Sequence, residues 1–198
     1  MGDPRRIKKK FSGPRHPWQK SRLEVESKII SDYGLKTKRE LWRMGSKIKD
    51  YSGQAKKLIA AKGSQAEKEK QQLFKKLQRI GLLGENPQLD NILDLTVTSI
   101  LDRRLQTLVH KKGLARTPSQ ARQFITHNHI SLGSKSVSVP SYIVPVSEES
   151  SITFVSNSSL FDSSHPERSV AVTKSSSRSG NNSNNSIINN VSAGGSNE

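Results

Sequence analysis

The chain has 198 residues, with 33 Lys and Arg against 17 Asp and Glu, which gives a formal net charge of +16 at pH 7. A positive excess of this size favours a polyanionic partner, and nucleic acid is the most common one. Cysteine is absent, which excludes disulfides, thiolate metal sites and a cysteine nucleophile. The sequence contains no run of 18 apolar residues, so it predicts no membrane span and no membrane partner.

The positive charge is concentrated towards the N-terminus. Residues 1–79 carry 23 Lys and Arg and 8 Asp and Glu, a balance of +15, whereas residues 80–139 carry +3 and residues 140–198 carry −2. The alternative to a nucleic-acid partner is a solvated lysine-rich surface, although protein surfaces normally mix both signs. The N-terminus lacks the apolar core of a secretory signal. The absence of cysteine is compatible with a reducing cytoplasm, and we expect a cytoplasmic protein.

Residues 1–20 form a basic and irregular segment that we expect to be an extended arm. Its three prolines oppose helix formation, and the segment has too little apolar surface to fold alone. Contact with phosphates could order it; a mobile solubilising tail is the alternative. An aromatic side chain in a free tail would have nothing to pack on, which argues for contact. The RNA-binding residues predicted in this arm are Arg5, Arg6, Arg15 and Trp18.

Three helices are predicted to follow. The first begins at Ser21, which forms a capping box with Glu24, and ends at Gly34. The second begins at a further capping box, Thr37 with Glu40. Its apolar residues recur at helical spacing to Ile59, although Gly45 and Gly53 oppose one unbroken helix. The third runs over about residues 65–79, and a short apolar helix is expected at residues 89–95.

A helix over about Thr98–Lys112 and a second one after Thr117 are predicted next. In the first, an apolar stripe is flanked by Arg104, and Arg103 lies well away from the stripe. The second has Thr117 as N-cap, proline at the first helical position and Gln120 at the third, which is a capping box with the favoured proline placement.

Plotted at about 100° per residue, this second helix has two different sides. One side carries the apolar residues Ala121, Phe124 and Ile125. The opposite side carries a cation among neutral hydrogen-bonding groups, which is the mixture that phosphate and 2′-hydroxyl recognition needs. An ordinary amphipathic surface helix explains the same pattern equally well. The polar side consists of Ser119, Arg122, Gln123 and Thr126.

A β-hairpin is predicted after this helix. Apolar and polar residues alternate around Ile130 and again around Val137, and a short connection containing glycine joins the two runs. Lys135 lies at the predicted turn, where it could reach a phosphate. Residues 142–146 and 152–155 are predicted as two further strands.

No catalytic or metal-binding pattern is found. His127 and His129 lie close together, but zinc sites usually need three or four protein ligands, and no acidic cluster lies nearby. We therefore expect these histidines to contact RNA or to cap the helix end. No phosphate-binding glycine loop, carboxylate pair or Ser/His/Asp arrangement is present, so we expect no enzyme activity, no metal and no cofactor.

The C-terminal residues 156–198 differ from the rest of the chain. Of these 43 residues, 14 are Ser and 8 are Asn. Such low-complexity composition predicts a disordered tail.

Two stretches of the sequence together resemble one protein family. LDRRLQTLVHKKGLARTPSQARQFITHNHI, followed by VSVPSYIV, resembles the RNA-binding module of the small-subunit ribosomal protein S4 family. PRHPWQKSRLEVESKIISDYGLKTKRELWR, RIGLL and LDNILDL resemble the archaeal and eukaryotic branch of that family. The module alone recurs in other RNA-binding proteins. The resemblance covers about residues 3–155, and its motifs are specific in combination.

The resemblance implies a primary binder of small-subunit (16S-type) rRNA that nucleates assembly of the subunit body. It also implies a position near the site where mRNA enters, beside the S5 family protein, and a role in translational accuracy. Cysteines that hold a cluster or zinc in some bacterial members are missing here. The RNA-facing positions that the resemblance implies are Arg103, Arg104, Lys112, Arg116, Ser119, Arg122, Gln123, His127 and His129.

The predicted fold class is α+β. We expect a helical N-terminal domain, a small module of two helices packed on a short antiparallel or mixed sheet, and a disordered C-terminal tail. The expected divisions are an extended basic arm over residues 1–20, a helical rRNA-binding domain over 21–99, an S4-type RNA-binding module over 100–155 and the tail over 156–198. The alternative functions are a non-ribosomal assembly chaperone and an RNA-modifying enzyme that carries the same module.

Overall fold

The computed structural model describes residues 9–162 and 165–169, and Arg5, Arg6 and most of the predicted tail lie outside these residues. The described chain is helical with one small antiparallel sheet, which confirms the α+β class. Its helices are α1 Lys20–Tyr33, α2 Lys38–Ala60, α3 Ser64–Ile80, α4 Leu89–Leu93, α5 Val97–Asp102, α6 Leu105–Lys111, α7 Pro118–Thr126, α8 Val146–Glu149 and α9 Pro166–Ser169.

Helix α1 begins one residue earlier than the capping pattern predicted. Gln19 is the N-cap, and its carbonyl accepts a hydrogen bond from the Leu23 N–H. Ser21 is therefore already inside the helix, and the predicted Ser21–Glu24 capping box is wrong. The predicted end is confirmed, because Gly34 has φ +58°, the left-handed conformation that glycine adopts without steric cost.

Helix α2 is continuous through Gly45 and Gly53, contrary to the expectation that these glycines oppose one helix. One face of α2 is buried along the helix, and packing against α1, α3, α4 and α5 outweighs the roughly 1 kcal/mol that each glycine costs relative to alanine. Thr37 is the N-cap, but its side chain makes no capping hydrogen bond, and the Glu40 carboxylate pairs with arginines instead of completing a capping box.

The single helix predicted over Thr98–Lys112 is two helices, α5 and α6, with Arg103 and Arg104 between them. The cause is a distant segment of the chain. The Leu105 N–H donates to the Tyr142 carbonyl at 2.8 Å, and the Val144 N–H donates to the Arg103 carbonyl at 3.0 Å. These bonds replace helical ones. They also limit the strand predicted over residues 142–146 to one isolated bridge, since α8 follows directly.

The sheet consists of β1 Ile130–Leu132, β2 Lys135–Ser136 and β3 Ile152–Phe154, in the order β2-β1-β3. Both pairings are antiparallel, so the predicted hairpin and the predicted strand at residues 152–155 are confirmed. Lys135 pairs with Leu132, which places it at the start of β2 rather than within the turn.

Apolar packing connects the helical half to the module. One cluster surrounds the sheet and α7, and Leu160 from a short 3-10 turn over Ser159–Phe161 belongs to it, so ordered structure continues past Val155. A second cluster crosses the expected division at residue 99. It contains Leu35, Leu41, Met44, Ile48, Ile100 and Leu101.

A buried glutamine fastens α1 to α7. The Gln106 Nε2 group lies within hydrogen-bond distance of three backbone carbonyls, those of Tyr33 at 3.2 Å, Gly34 at 2.9 Å and Pro118 at 2.9 Å. A Cβ at Gly34 would lie 2.8 Å from Pro118 Cβ, so this approach requires glycine. The C-terminal end of α1 therefore lies directly against the N-terminal end of α7.

Candidate nucleic-acid interface

The described part of the arm, residues 9–19, packs on α2. The Phe11 and Trp42 rings lie 6.0 Å apart, and the Ser12 N–H donates to the Ser46 hydroxyl at 3.0 Å. These contacts fix the path of the arm along α2. The sequence alone did not reveal that path.

Trp18 lies at the other end of the arm and points into solvent. Its exposure is 89%, and Arg15 nearby is also exposed. Arg22 of α1 holds this part of the backbone by donating to the carbonyls of His16 and Pro17 at 3.0 and 2.8 Å. The arm therefore presents an aromatic ring and a cation on a backbone that is anchored to α1.

The outer face of α7 is the most open of the predicted surfaces. Ser119 and Gln123 lie one turn apart on this helix, Arg116 lies just before its N-cap and His127 lies just after its last residue, and all four are exposed. The predicted cap is confirmed, because Thr117 Oγ1 accepts from the Gln120 N–H at 3.1 Å. Gln120 Oε1 accepts in turn from the Arg116 N–H at 2.8 Å. The cap thus fixes the backbone that carries Arg116.

Arg122 does not share this open face. Its guanidinium donates to both oxygens of Glu40, with Nη2 at 3.0 Å from Oε1 and Nη1 at 3.2 Å from Oε2, and its side chain is 25% exposed. The predicted polar side of α7 is correct as a pattern, but α2 covers the part that contains Arg122.

Arg104 lies deeper in the same contact. Its side chain is 1% exposed, and Nη2 donates to Glu40 Oε2 at 2.8 Å. Within the described part of the chain, its Nε and Nη1 groups have no hydrogen-bond partner. Burial alone would raise the pKa of the Glu40 carboxyl, but the hydrogen bonds and charges of Arg122 and Arg104 hold that pKa below its ordinary value. Arg104 is thus placed as a structural ion-pair partner and not on an RNA-facing surface.

Two further predicted cations are held by α8. Arg103 Nη1 donates to Glu149 Oε2 at 2.8 Å, and its Nη2 donates to the Val144 carbonyl at 3.2 Å. Lys112 Nζ donates to the Glu149 carbonyl. Lys112 remains exposed, as does Lys135 on β2, whereas Arg103 is largely covered.

The two histidines have different surroundings. His129 Nδ1 lies 2.8 Å from Ser158 Oγ, and its ring lies perpendicular to that of Phe124 with the centroids 6.3 Å apart. His127 is exposed at the end of α7, with its ring centroid 6.3 Å from that of His129. No group of three His, Asp or Glu residues within residues 9–162 and 165–169 is placed to hold a metal ion.

A basic cleft between α2 and the module was missed by the sequence reasoning. It measures about 490 Å³ and is lined on one side by Arg43 and Lys47 of α2, on another by Lys10 of the arm, and on the module side by Arg122. Glu40, Arg43 and Lys47 follow one another at intervals of three and four residues, so helical spacing places them on the same side of α2. This spacing was the signal that the sequence offered for the cleft, but only the fold shows that Lys10 and Arg122 line the same cleft.

The amino-acid sequence that forms this surface is clearly similar to the sequences of known proteins. The family described as "S4 domain" matches residues 103–150. "Small ribosomal subunit protein uS4" of Methanococcus maripaludis is 48% identical over 175 residues, which is 88% of this chain and 98% of that protein. The protein of the same name from Methanococcus aeolicus is 49% identical over 173 residues, 87% of this chain and 98% of that protein. The chain belongs to the uS4 family.

Membership of the uS4 family confirms the resemblance recognised in the sequence, and the archaeal relatives agree with the branch that was expected. The "S4 domain" match begins at Arg103 and ends just after α8, so it omits β3 of the sheet. None of the helices in the described residues is both long enough and apolar enough to cross a bilayer.

Proposed function

We propose that this chain is a structural constituent of the small ribosomal subunit, a non-catalytic protein that binds small-subunit (16S-type) rRNA directly and nucleates assembly of the subunit body in the cytoplasm. The observation that carries this proposal is similarity over almost the whole length of archaeal proteins named small ribosomal subunit protein uS4. The net charge of +16 supports a polyanionic partner independently of that similarity.

The exposed face of α7 supports recognition of RNA shape. Arg116 supplies a cation for a phosphate, while Ser119 and Gln123 supply neutral hydrogen-bonding groups for phosphate or 2′-hydroxyl oxygens. The base edges of an A-form duplex are hidden in a deep major groove, so such a surface reads backbone geometry. We assign this role to the module over residues 100–155, with the helices of residues 21–99 and the arm supplying additional phosphate contacts.

The neighbours within the subunit are proposed from the family resemblance. They are the S5 family protein and mRNA close to the place where it enters the subunit, a position from which the protein would support translational accuracy. The exposed residues left for such contacts include His127 and Lys135, which lie outside the Glu40 ion pairs.

Co-sedimentation with small ribosomal subunits tests the proposal. The tagged full-length chain should remain with 30S-sized particles through a high-salt wash, and footprinting should find protected nucleotides in the small-subunit rRNA. Loss of the chain from these particles in stringent salt would overturn the ribosomal assignment and favour an assembly chaperone.

Binding to purified rRNA tests the electrostatic part of the proposal. The logarithm of affinity should fall with the logarithm of salt concentration by about 0.7–0.9 for each phosphate neutralised. Arg116→Ala should weaken binding and leave the midpoint of thermal unfolding unchanged, because Arg116 is exposed. A flat salt profile would contradict the proposal.

A further inference from the structure

The cations of the basic cleft between α2 and the module come from three parts of the chain. Lys10 comes from the arm, Arg43 and Lys47 come from successive turns of α2, and Arg122 comes from α7. Met44 and Pro140 form part of its wall. Since these elements are far apart in sequence, the cleft exists only in the folded protein, and its position is set by the contact between Glu40 and Arg122.

The cations of the cleft outnumber its carboxylates. Within residues 9–162 and 165–169, no ion pair joins Lys10, Arg43 or Lys47 to an acidic side chain. The carboxylate that lines the cleft, Glu40, is shared between two arginines. Arg122 uses two of its N–H groups on Glu40 and retains others for a ligand. The cleft therefore remains strongly positive.

The pKa of Lys47 is affected by this excess positive charge. The surrounding protein partly desolvates its ammonium group, and the charges of Arg104 and Lys76 add repulsion, so the pKa of Lys47 lies below its ordinary value. An anion bound near Lys47 would offset the repulsion between its ammonium group and these neighbouring cations. Lys47 is also accessible from solvent, so such an anion can reach it.

We propose that this cleft binds a backbone phosphate of RNA, with Arg43, Lys47 and Arg122 as its ligands and Glu40 as the residue that positions Arg122. A guanidinium that is already oriented loses less side-chain freedom when it binds a phosphate. A volume of about 490 Å³ is large enough for a phosphate and the adjoining ribose. The inference rests on the proposed function and adds a defined site, between the two halves of the chain, to it.

Substitution of two exposed cations tests the site. The full-length double variant Arg43→Gln with Lys47→Gln should lose the phosphate contact of the cleft, which lowers the slope of log affinity against log salt by about 0.7–0.9 and weakens rRNA binding roughly 5- to 10-fold at 0.1 M salt. Its fold should be unchanged by circular dichroism, because neither side chain forms an ion pair with the described residues.

A matched control removes the same charge from the same helix. Lys49 and Lys56 lie on the opposite side of α2 at 100° per residue and are exposed. Lys49→Gln with Lys56→Gln should change the salt slope much less. An equal loss in this control would overturn a localised site and indicate a diffuse charge effect.

Lysine labelling gives a direct readout of occupancy. Reductive methylation with peptide mass spectrometry should find Lys47 protected in the rRNA complex, and equal labelling in free and bound protein would overturn the proposal. Normal rRNA binding by the Arg43→Gln/Lys47→Gln variant would also overturn it and leave the proposed function standing. Failure of the wild-type chain to bind rRNA would instead overturn the proposed function and this inference together.

Discussion

Glu40 and Arg104 are 64 residues apart in sequence and lie 2.8 Å apart in the fold, between Oε2 and Nη2. The arginine is 1% exposed and the carboxylate 16% exposed, so water screens the pair little. Arg122 donates to both oxygens of the same carboxylate. One acidic side chain thus joins α2 to two separate segments of the module.

Removal of Glu40 should destabilise the protein much more than removal of Arg122. Glu40→Gln leaves Arg104 buried without a counter-charge, and we expect the free energy of unfolding to fall by about 3–5 kcal/mol. Arg122→Ala leaves the Glu40–Arg104 pair in place and should cost only about 1–2 kcal/mol. Chemical denaturation followed by circular dichroism measures both changes. Glu24→Gln is the control: Glu24 forms an exposed 4.0 Å pair with Lys20, so its loss should cost under about 1 kcal/mol.

Stability should fall on acidification because of Glu40. The pKa of this carboxyl is lower in the folded protein than its ordinary value of 4.5, so its contribution is fully present above pH 4.5. That contribution is lost as the pH falls through the folded-state pKa. We expect the difference in unfolding free energy between wild type and Glu40→Gln to shrink over this range. A difference that stays constant from pH 6 to pH 3 would contradict the assigned pKa direction.

Two glycines should respond in opposite directions to the same substitution. Gly34→Ala introduces a Cβ 2.8 Å from Pro118 Cβ at a residue with φ +58°, and we expect a loss of more than about 1 kcal/mol of stability. Gly45→Ala lies inside α2 with no atom within 4 Å of the new Cβ, and should stabilise the protein by about 0.5–1 kcal/mol. Thermal unfolding compares the two variants, and a stable Gly34→Ala protein would argue against the tight contact between α1 and α7.

Trp18 should be the tryptophan that reports RNA binding. Its ring is 89% exposed, whereas Trp42 packs beside Phe11 and donates from Nε1 to Glu26 at 3.1 Å. Acrylamide should quench Trp18 fluorescence strongly in the free protein and weakly in the rRNA complex if the ring stacks on a base. The Trp18→Phe variant should lack the quenchable component. Unchanged quenching on addition of rRNA would remove Trp18 from the interface.

Local signals were sufficient to predict much of the fold. Gly34 ends α1 in the left-handed conformation, and Thr117 caps α7 through its own side chain, each signal lying within a few residues of the helix end that it sets. The hairpin was predictable for the same reason, since alternation and a glycine-containing connection fix β1 and β2.

Distant contacts explain what the sequence did not predict. The break between α5 and α6 depends on backbone bonds from Arg103 and Leu105 to residues about 40 positions later. The helical plot placed Arg122 on a polar side, yet whether a polar side faces solvent depends on what packs over it, and Glu40 lies 82 residues away. The same limitation hid the cleft with Arg43 and Lys47.

The hydrogen bonds of Gln106 have a consequence for the order of folding during synthesis. The carbonyls of Tyr33 and Gly34 leave the ribosome early, while their side-chain donor on Gln106 and the facing Pro118 follow about 70–85 residues later. At 5–20 residues per second, that interval is roughly 4–17 s. Through that interval the residues of the first three helices have been synthesised without the segment that anchors α1 to α7, so the final geometry of the positively charged half is fixed only after that segment emerges.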